Sequence, residues 1–259
     1  MSNTKKFLSS VGDVYFYDSS NGTEIFRGKT LIDSSLEVSL GNSEVRGGKG
    51  NSLLYTYYHT SAMNVNVTDA QFNLAFIGAM VGSDIGTSTS VFKEETITLG
   101  ASGSGTITGT PLALPGLSTV YGWVKQVDGT IEKVTFSTKT FASSTGTSGD
   151  VVCVRYYALS SGARYINVNA NMLPKIGRLV IQADINSSDS STNKIGDFFV
   201  DIPKFQLNPN FTINLASDGV SNTPLTGMAL VSEDLTTASC SSVPVLAKMT
   251  EDISGETWD

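Results

Sequence analysis

The hydropathy period of this chain changes at Thr68, and that change constrains its fold more than any other feature. Before Thr68 the apolar residues alternate. Met63, Val65 and Val67 fall on one side and Asn64 and Asn66 on the other, as in a half-buried strand. After it, Phe72, Ala75, Phe76, Ala79 and Met80 recur at helical spacing, and Leu74, Ile77 and Val81 fill much of the remaining surface. Thr68-Asp69-Ala70-Gln71 has the pattern of a capping box, and Gly82 that of a left-handed stop. A helix is therefore predicted over about 69–81. Being apolar nearly all round, it must be largely covered.

The rest of the chain reads as short strands and turns, so the class is mainly β. DVYFYD at 13–18 and EIFRGKT at 24–30 flank Asn21-Gly22, a strong hairpin signal. SSLEVSL at 34–40 alternates cleanly, with Leu36, Val38 and Leu40 on one face. GNSEVRGGKGN then carries four Gly in eleven residues and predicts no regular structure. With the aromatic run that follows, it makes a long exposed loop over about 41–62. Loops of that length are usually functional. This one holds Arg46, Lys49, Asn51, Leu53, Leu54, Tyr55, Tyr57, Tyr58 and His59. Its aliphatic and aromatic side chains favour a partner surface over water.

Residues 83–165 differ in texture. Gly/Ser/Thr-rich stretches separate ETITL, STVYGWVKQVDGT, EKVTFSTK and GDVVCVRYYALS, and Val127-Asp128-Gly129-Thr130 marks a two-residue hairpin. This segment is expected to be an inserted β-rich elaboration, with 1–82 and 166–259 forming one discontinuous core domain. The half-polar alternation returns in RLVIQADIN, with a strand over 178–185. DFFVDIP follows as a strand ending at Pro203, and FTINLASD supplies a further strand at 211–216.

Four strands thus share one design: 34–40, 63–68, 178–185 and 211–216. Each has an apolar face for the core. The opposite faces carry Ser35, Glu37, Ser39, Asn64, Asn66, Gln182, Asp184, Thr212 and Asn214. Such faces fit an ordinary antiparallel sheet with one wet side. They also fit the wall of a channel built from several copies. A channel for a polyanion should be wet, neutral to acidic and poor in Lys and Arg, because each phosphate–cation contact adds binding and friction. The composition agrees. Charged residues are 16 % of the chain, and the net charge of −7 argues against a protein built to grip nucleic acid.

No constellation for chemistry emerges. His59 is the one histidine, so no Ser–His–Asp or Cys–His nucleophile can be assembled around a second. Glu94 and Glu95 are adjacent on a strand and point to opposite faces. The run from Asp184 to Asp189 lacks the Gly and Glu of a calcium loop, and Arg46–Asn51 lacks the Gly-Lys-Ser/Thr ending of a phosphate loop. Cys153 and Cys240 form neither a disulfide framework nor a zinc pattern. No catalytic residue, metal or cofactor is expected. MSNTKKFLSS has no apolar signal core, and no apolar run reaches membrane-spanning length.

The order of strand, GGKGN-containing loop, strand and TDAQFNLAFIGAMVG helix resembles the tail tube (major tail) proteins of tailed bacteriophages. So does DFFVDIPKFQLNPNFTINLASDGVSNTPLTGMALVSED. The resemblance covers roughly 30–82 and 178–235. It implies a β-sandwich or split barrel with one flanking helix, forming hexameric rings that stack into a hollow tube for DNA. The nine polar residues above would line the lumen, and the 41–62 loop would reach the next ring. It also implies a set of partners. These are further copies of the chain, tape-measure protein, tail terminator and baseplate proteins, sheath protein if the tail contracts, and DNA passing without specific binding. Assembly would take place in the host cytoplasm, with no membrane. The 83–165 elaboration would decorate the tube or contact a sheath. Another virion component, such as a capsid decoration or baseplate protein, shares the composition. A β-sandwich carbohydrate-binding or adhesion module shares the Tyr and Trp content.

Overall fold

The structure, a computed structural model, describes residues 5–114, 116–188, 194–213, 222–232 and 244–253. The strands in chain order are β1 (Lys6–Asp18), β2 (Glu24–Gly28), β3 (Leu31–Gly47) and β4 (Ser52–Asp69), followed by the helix α1 (Leu74–Val81). Next come β5 (Gly86–Thr98), β6 (Ser104–Thr106), β7 (Tyr121–Lys125), β8 (Ile131–Thr135), β9 (Thr140–Ala142) and β10 (Val151–Tyr165). The chain closes with β11 (Ile176–Ser187), β12 (Lys194–Leu207), β13 (Thr223–Ala229) and β14 (Lys248–Ile253). The fold is mainly β with antiparallel sheets and one α-helix among the described residues, consistent with a β-sandwich. It divides into two compact units, Met1–Asp84 with Asn167–Asp259, and Ile85–Ile166.

The first unit is one sheet of order β2-β1-β11-β12-β13-β4-β3, with β14 also on β12. β12 changes partners along its length, so the strands beside its two halves form two limbs of the sheet. Gly196–Asp201 pair with β14, whereas Phe205–Leu207 pair with β13, and Ile202-Pro203 stand between the two sets of partners. Proline suits that place because a ladder amide is missing where one partner gives way to the next. Pro203 therefore does not end the strand, which runs four residues beyond it. The inner faces of both limbs share one core. Val14, Phe16, Leu179, Ile202, Phe205, Leu225, Val65 and Val67 are all fully or almost fully buried there, packed with Phe76 and Met80 of α1. Rings meet at its centre, with Phe16 stacked on Phe26 at 5.0 Å between centroids and Phe76 tilted against Phe26 at 4.2 Å.

The helix is shorter at its start than the predicted 69–81. Thr68 is not its cap, because Thr68 lies in the ladder opposite Asp33 and Pro224. The strand continues through Asp69, whose buried carboxylate accepts from the Thr30 hydroxyl and the Gln71 amide. Asn73 caps instead, its Oδ1 accepting from the Ala75 amide at 2.9 Å. The stop is at Gly82, as the sequence indicates. Its φ is 71°, its amide donates to Ala79, and the Ser83 amide donates to Gly78, which is a Schellman closure. A Cβ on Gly82 would lie 1.8 Å from the Leu173 carbonyl oxygen, so that chain crossing requires glycine.

Two further expectations are corrected. Gly41–Gly47 and Ser52–Ala62 are not loop: they are paired strand, Gly47 standing opposite Ser52. Only Gly48–Asn51 turn, with positive φ at Gly48, Gly50 and Asn51. The four glycines lower strand propensity locally, but the aromatic partner strand supplies a full ladder that outweighs it. The strand expected at 211–216 is not formed at Phe211–Ile213, and its remainder, Asn214 included, lies outside the described residues. The strand beside β4 is β13. Pro224 and Gly227 mask it in the sequence, yet Pro224 pairs only on its β4 side, below the first β12 partner, where its missing amide costs nothing.

The second unit has a sheet of order β5-β10-β7-β8 and a small β6–β9 pair. Val124, Val152, Val154, Tyr156 and Phe141 form its core. The turn at 126–130 is a three-residue loop, not two: the Gln126 amide donates to Thr130 and Gly129 takes φ 88°.

Candidate functional site

The polar residues of the 34–40 and 63–68 strands come together by register. Ser35 stands opposite Asn66 and Glu37 opposite Asn64, with Ser39 opposite Ala62. β13 extends the rows: Thr226 faces Asn66 and Met228 faces Asn64, and Gln206 of β12 adjoins Met228. Thr226 and Gln206 were missed with their strand boundaries. The result is a face mostly of hydroxyls, amides and one carboxylate, interrupted by Met228 and Ala62, with no Lys or Arg in its three central rows.

Gln182 and Asp184 do not join this face directly. They lie on β11, separated from β4 by β13 and β12. Asp184 stands opposite Asp197, a like-charged cross-strand pair that Lys194 bridges at 2.7 and 2.9 Å. Gln182 donates to Asp197 as well. Lys194, then Gln182, hold the Asp197 carboxyl below its usual range. Arg178, the one basic residue at that strand's start, is taken by the Asp201 carboxylate through both Nε and a terminal amine. Thr212 is exposed beside Phe211, next to Pro224 and Thr226.

The β3–β4 hairpin carries all nine residues expected in the loop. Beyond Leu36 and Met63 it leaves the core: Val38 is 61 % exposed and Leu40 57 %. Thr60 has φ 56° and is bulged, since Leu40 pairs with Ser61 and Gly41 with His59. The extra residue re-phases β4. Strict alternation down from Met63 would put His59, Tyr57 and Tyr55 on the core side. With the bulge they stand opposite Gly41, Ser43 and Val45, on the same side as Glu37 and Asn64. Ring contacts join the three along that face, with Tyr55–Tyr57 at 6.4 Å and Tyr57–His59 at 5.7 Å. Tyr58 goes to the other face, 66 % exposed. A second shift, at Leu54, precedes the turn that holds Lys49 and Asn51. Arg46 is paired with Glu44 at 2.6 Å.

Charge is divided between the units. Ile85–Ile166 has six basic and five acidic residues, leaving 11 basic and 19 acidic in the other unit. Among the described residues no three His, Cys, Asp or Glu side chains cluster as a metal site, and no helix is long and apolar enough to cross a membrane.

A comparison with curated proteins finds no match. A family model for the YomU/Tube protein family matches residues 6–243, nearly the whole chain. With a polar sheet face, an exposed projecting hairpin and this match, the chain belongs to the YomU/Tube family, a phage tail tube family, and is a structural component of the virion tail.

Proposed function

We propose that six copies of this chain close into a ring, and that rings stack into the hollow tube through which DNA leaves the virion. The β3–β4 hairpin carries this reading. Among the described residues β3 pairs with β4 alone and leaves its other edge unpaired, its apolar side runs out past the core through Val38 and Leu40, and the hairpin tip is aromatic. A monomer that kept such an edge in water would risk uncontrolled pairing. A ring removes the edge by giving it a neighbour's strand.

The lumen wall in this reading is the face of Ser35, Glu37, Ser39, Asn64 and Asn66, extended by Thr226, with Thr212 at its lower end. Gln182 and Asp184 belong to the second limb of the sheet, where Lys194 already engages the aspartate. A wall of neutral polar groups and Glu37 gives phosphates nothing to hold. Tape-measure protein would fill the lumen before ejection, terminator and baseplate proteins would close its ends, and a sheath would surround it if the tail contracts. No site on the chain is needed for catalysis or for a cofactor.

Deleting 42–60 tests the reading. The core lies outside that segment, so the subunit should stay folded by circular dichroism while sedimentation shows no species beyond a single ring. Polymers of wild-type length from the deleted protein would refute the role of the hairpin.

A further inference from the structure

If the hairpin enters a neighbouring ring, something must receive it, and one groove has the right place and chemistry. It is an open groove of about 560 Å³ lined by Val168, Met172, Pro209, Phe211, Pro224 and Thr226. Val168 is 62 % exposed and Met172 38 %. Pro224 and Thr226 project from the same sheet face as Asn66 and Thr68, which fixes the groove to the lumen-side face. They pair with the base of β4, whereas Leu53–Tyr57 form its tip. At strand rise the two ends are roughly 40 Å apart, so a hairpin cannot fold back into its own groove.

We infer that this groove is the receptor for the hairpin tip of a second copy of this chain, with Leu54, Tyr55 and Tyr57 seated against Met172, Pro209 and Phe211. The inference rests on the tube reading and names the two surfaces of its axial contact. Head-to-tail stacking is heterologous, so one end of the subunit must complement the other. Lateral neighbours meet along strand edges, and the tip leaves the sheet along the strand direction. The bulge at Thr60 turns Tyr55 and Tyr57 to the face on which the groove opens. Tyrosine rings against proline, methionine and phenylalanine make a well-matched apolar contact. The uncovered parts of Leu54, Tyr55 and Tyr57 offer on the order of 300 Å², a sizeable share of the ~800 Å² that each partner gives to a standard interface.

The test is a cross-link in assembled protein. In a chain with Cys153→Ser and Cys240→Ser, Leu54→Cys and Met172→Cys are combined and mild oxidant is added after assembly. A ladder of covalent multimers on denaturing gels, absent from either single-cysteine chain, is the expected result. Met172→Asp and Leu54→Asp, each on the surface, should leave rings but abolish stacking. Tubes without the ladder, or tubes of normal length from both Asp variants, would overturn the groove and leave the tube reading standing. Wild-type protein that forms neither rings nor tubes would overturn both.

Discussion

Ser43 Oγ and His59 Nε2 lie 2.8 Å apart, sharing a hydrogen bond, although neither is the other's register partner. The diagonal contact exists because Thr60 is bulged out of β4, which brings His59, Tyr57 and Tyr55 to the polar side of the hairpin. The bulge takes Thr60 out of the alternation and keeps the aromatic residues on the face of Glu37 and Asn64.

Deleting Thr60 should leave that face in place at little cost to the fold, because Leu40–Ser61 and Gly41–His59 then follow one another as a regular ladder. The bulge lies beyond the core, and surface changes of this kind usually shift stability by about 0.5 kcal/mol. The melting temperature should stay within about 3 °C of wild type, and polymers should still form. A folded deletion variant that no longer polymerises would show that the bulge itself, and not only the side on which the tyrosines stand, is needed for assembly.

Gly82→Ala should be costly for a different reason. The position needs φ 71°, and the new methyl would fall 1.8 Å from the Leu173 oxygen. Strain of this type costs about 1–3 kcal/mol before any displacement of the 173 segment is counted. Calorimetry should show a melting temperature lower by about 5 °C or more. A variant that melts with wild type would mean that the helix stop is not held against Leu173.

Glu132 gives a pH signature confined to the Ile85–Ile166 unit. Partial burial opposes its charge, but hydrogen bonds from the Ser143 and Ser144 hydroxyls, the Ser144 amide and Thr145 outweigh that and hold its pKa down to about 2. A depressed carboxyl stabilises the fold above the unfolded pKa and loses that contribution as pH falls through the folded one. After allowing for solvent screening, Glu132→Gln should cost about 1–2 kcal/mol near neutrality. The difference from wild type should shrink between pH 4.5 and about 2. A difference that does not change over that range would contradict the hydrogen-bonded cradle.

The lumen assignment predicts a change in traffic without a change in assembly. Glu37→Lys combined with Asn64→Lys and Asn66→Lys places cations on the wall. Tubes should form normally, yet purified tubes should retain short duplex DNA at low salt and release it steeply as salt rises. Lysines that leave DNA binding unchanged would place these residues off the lumen.

Much of the fold can be read from alternation alone. Met63, Val65, Val67, Leu179, Ile181 and Ile185 are buried where a period of two places them. The failures share a cause: partners distant in sequence. Thr68 reads as a cap because nothing local reveals that Asp33 and Pro224 hold it in a ladder. Gly41–Gly47 reads as loop because the pairing with Ser52–His59 that orders it is not a local property. Of the candidate site, the pairings Ser35–Asn66 and Glu37–Asn64 follow from shared alternation, but the order of strands does not. Hence Gln182 and Asp184 could not be separated from them, and the Thr60 bulge, which carries no glycine signal, could not be foreseen.

Electron microscopy of purified, concentrated protein, alone and with its tail-tip partners as nucleators, tests the central claim most directly. The account predicts six-fold rings with a central hole, stacking into tubes of uniform diameter. Compact monomers under every condition, with no ring in any field, would contradict it.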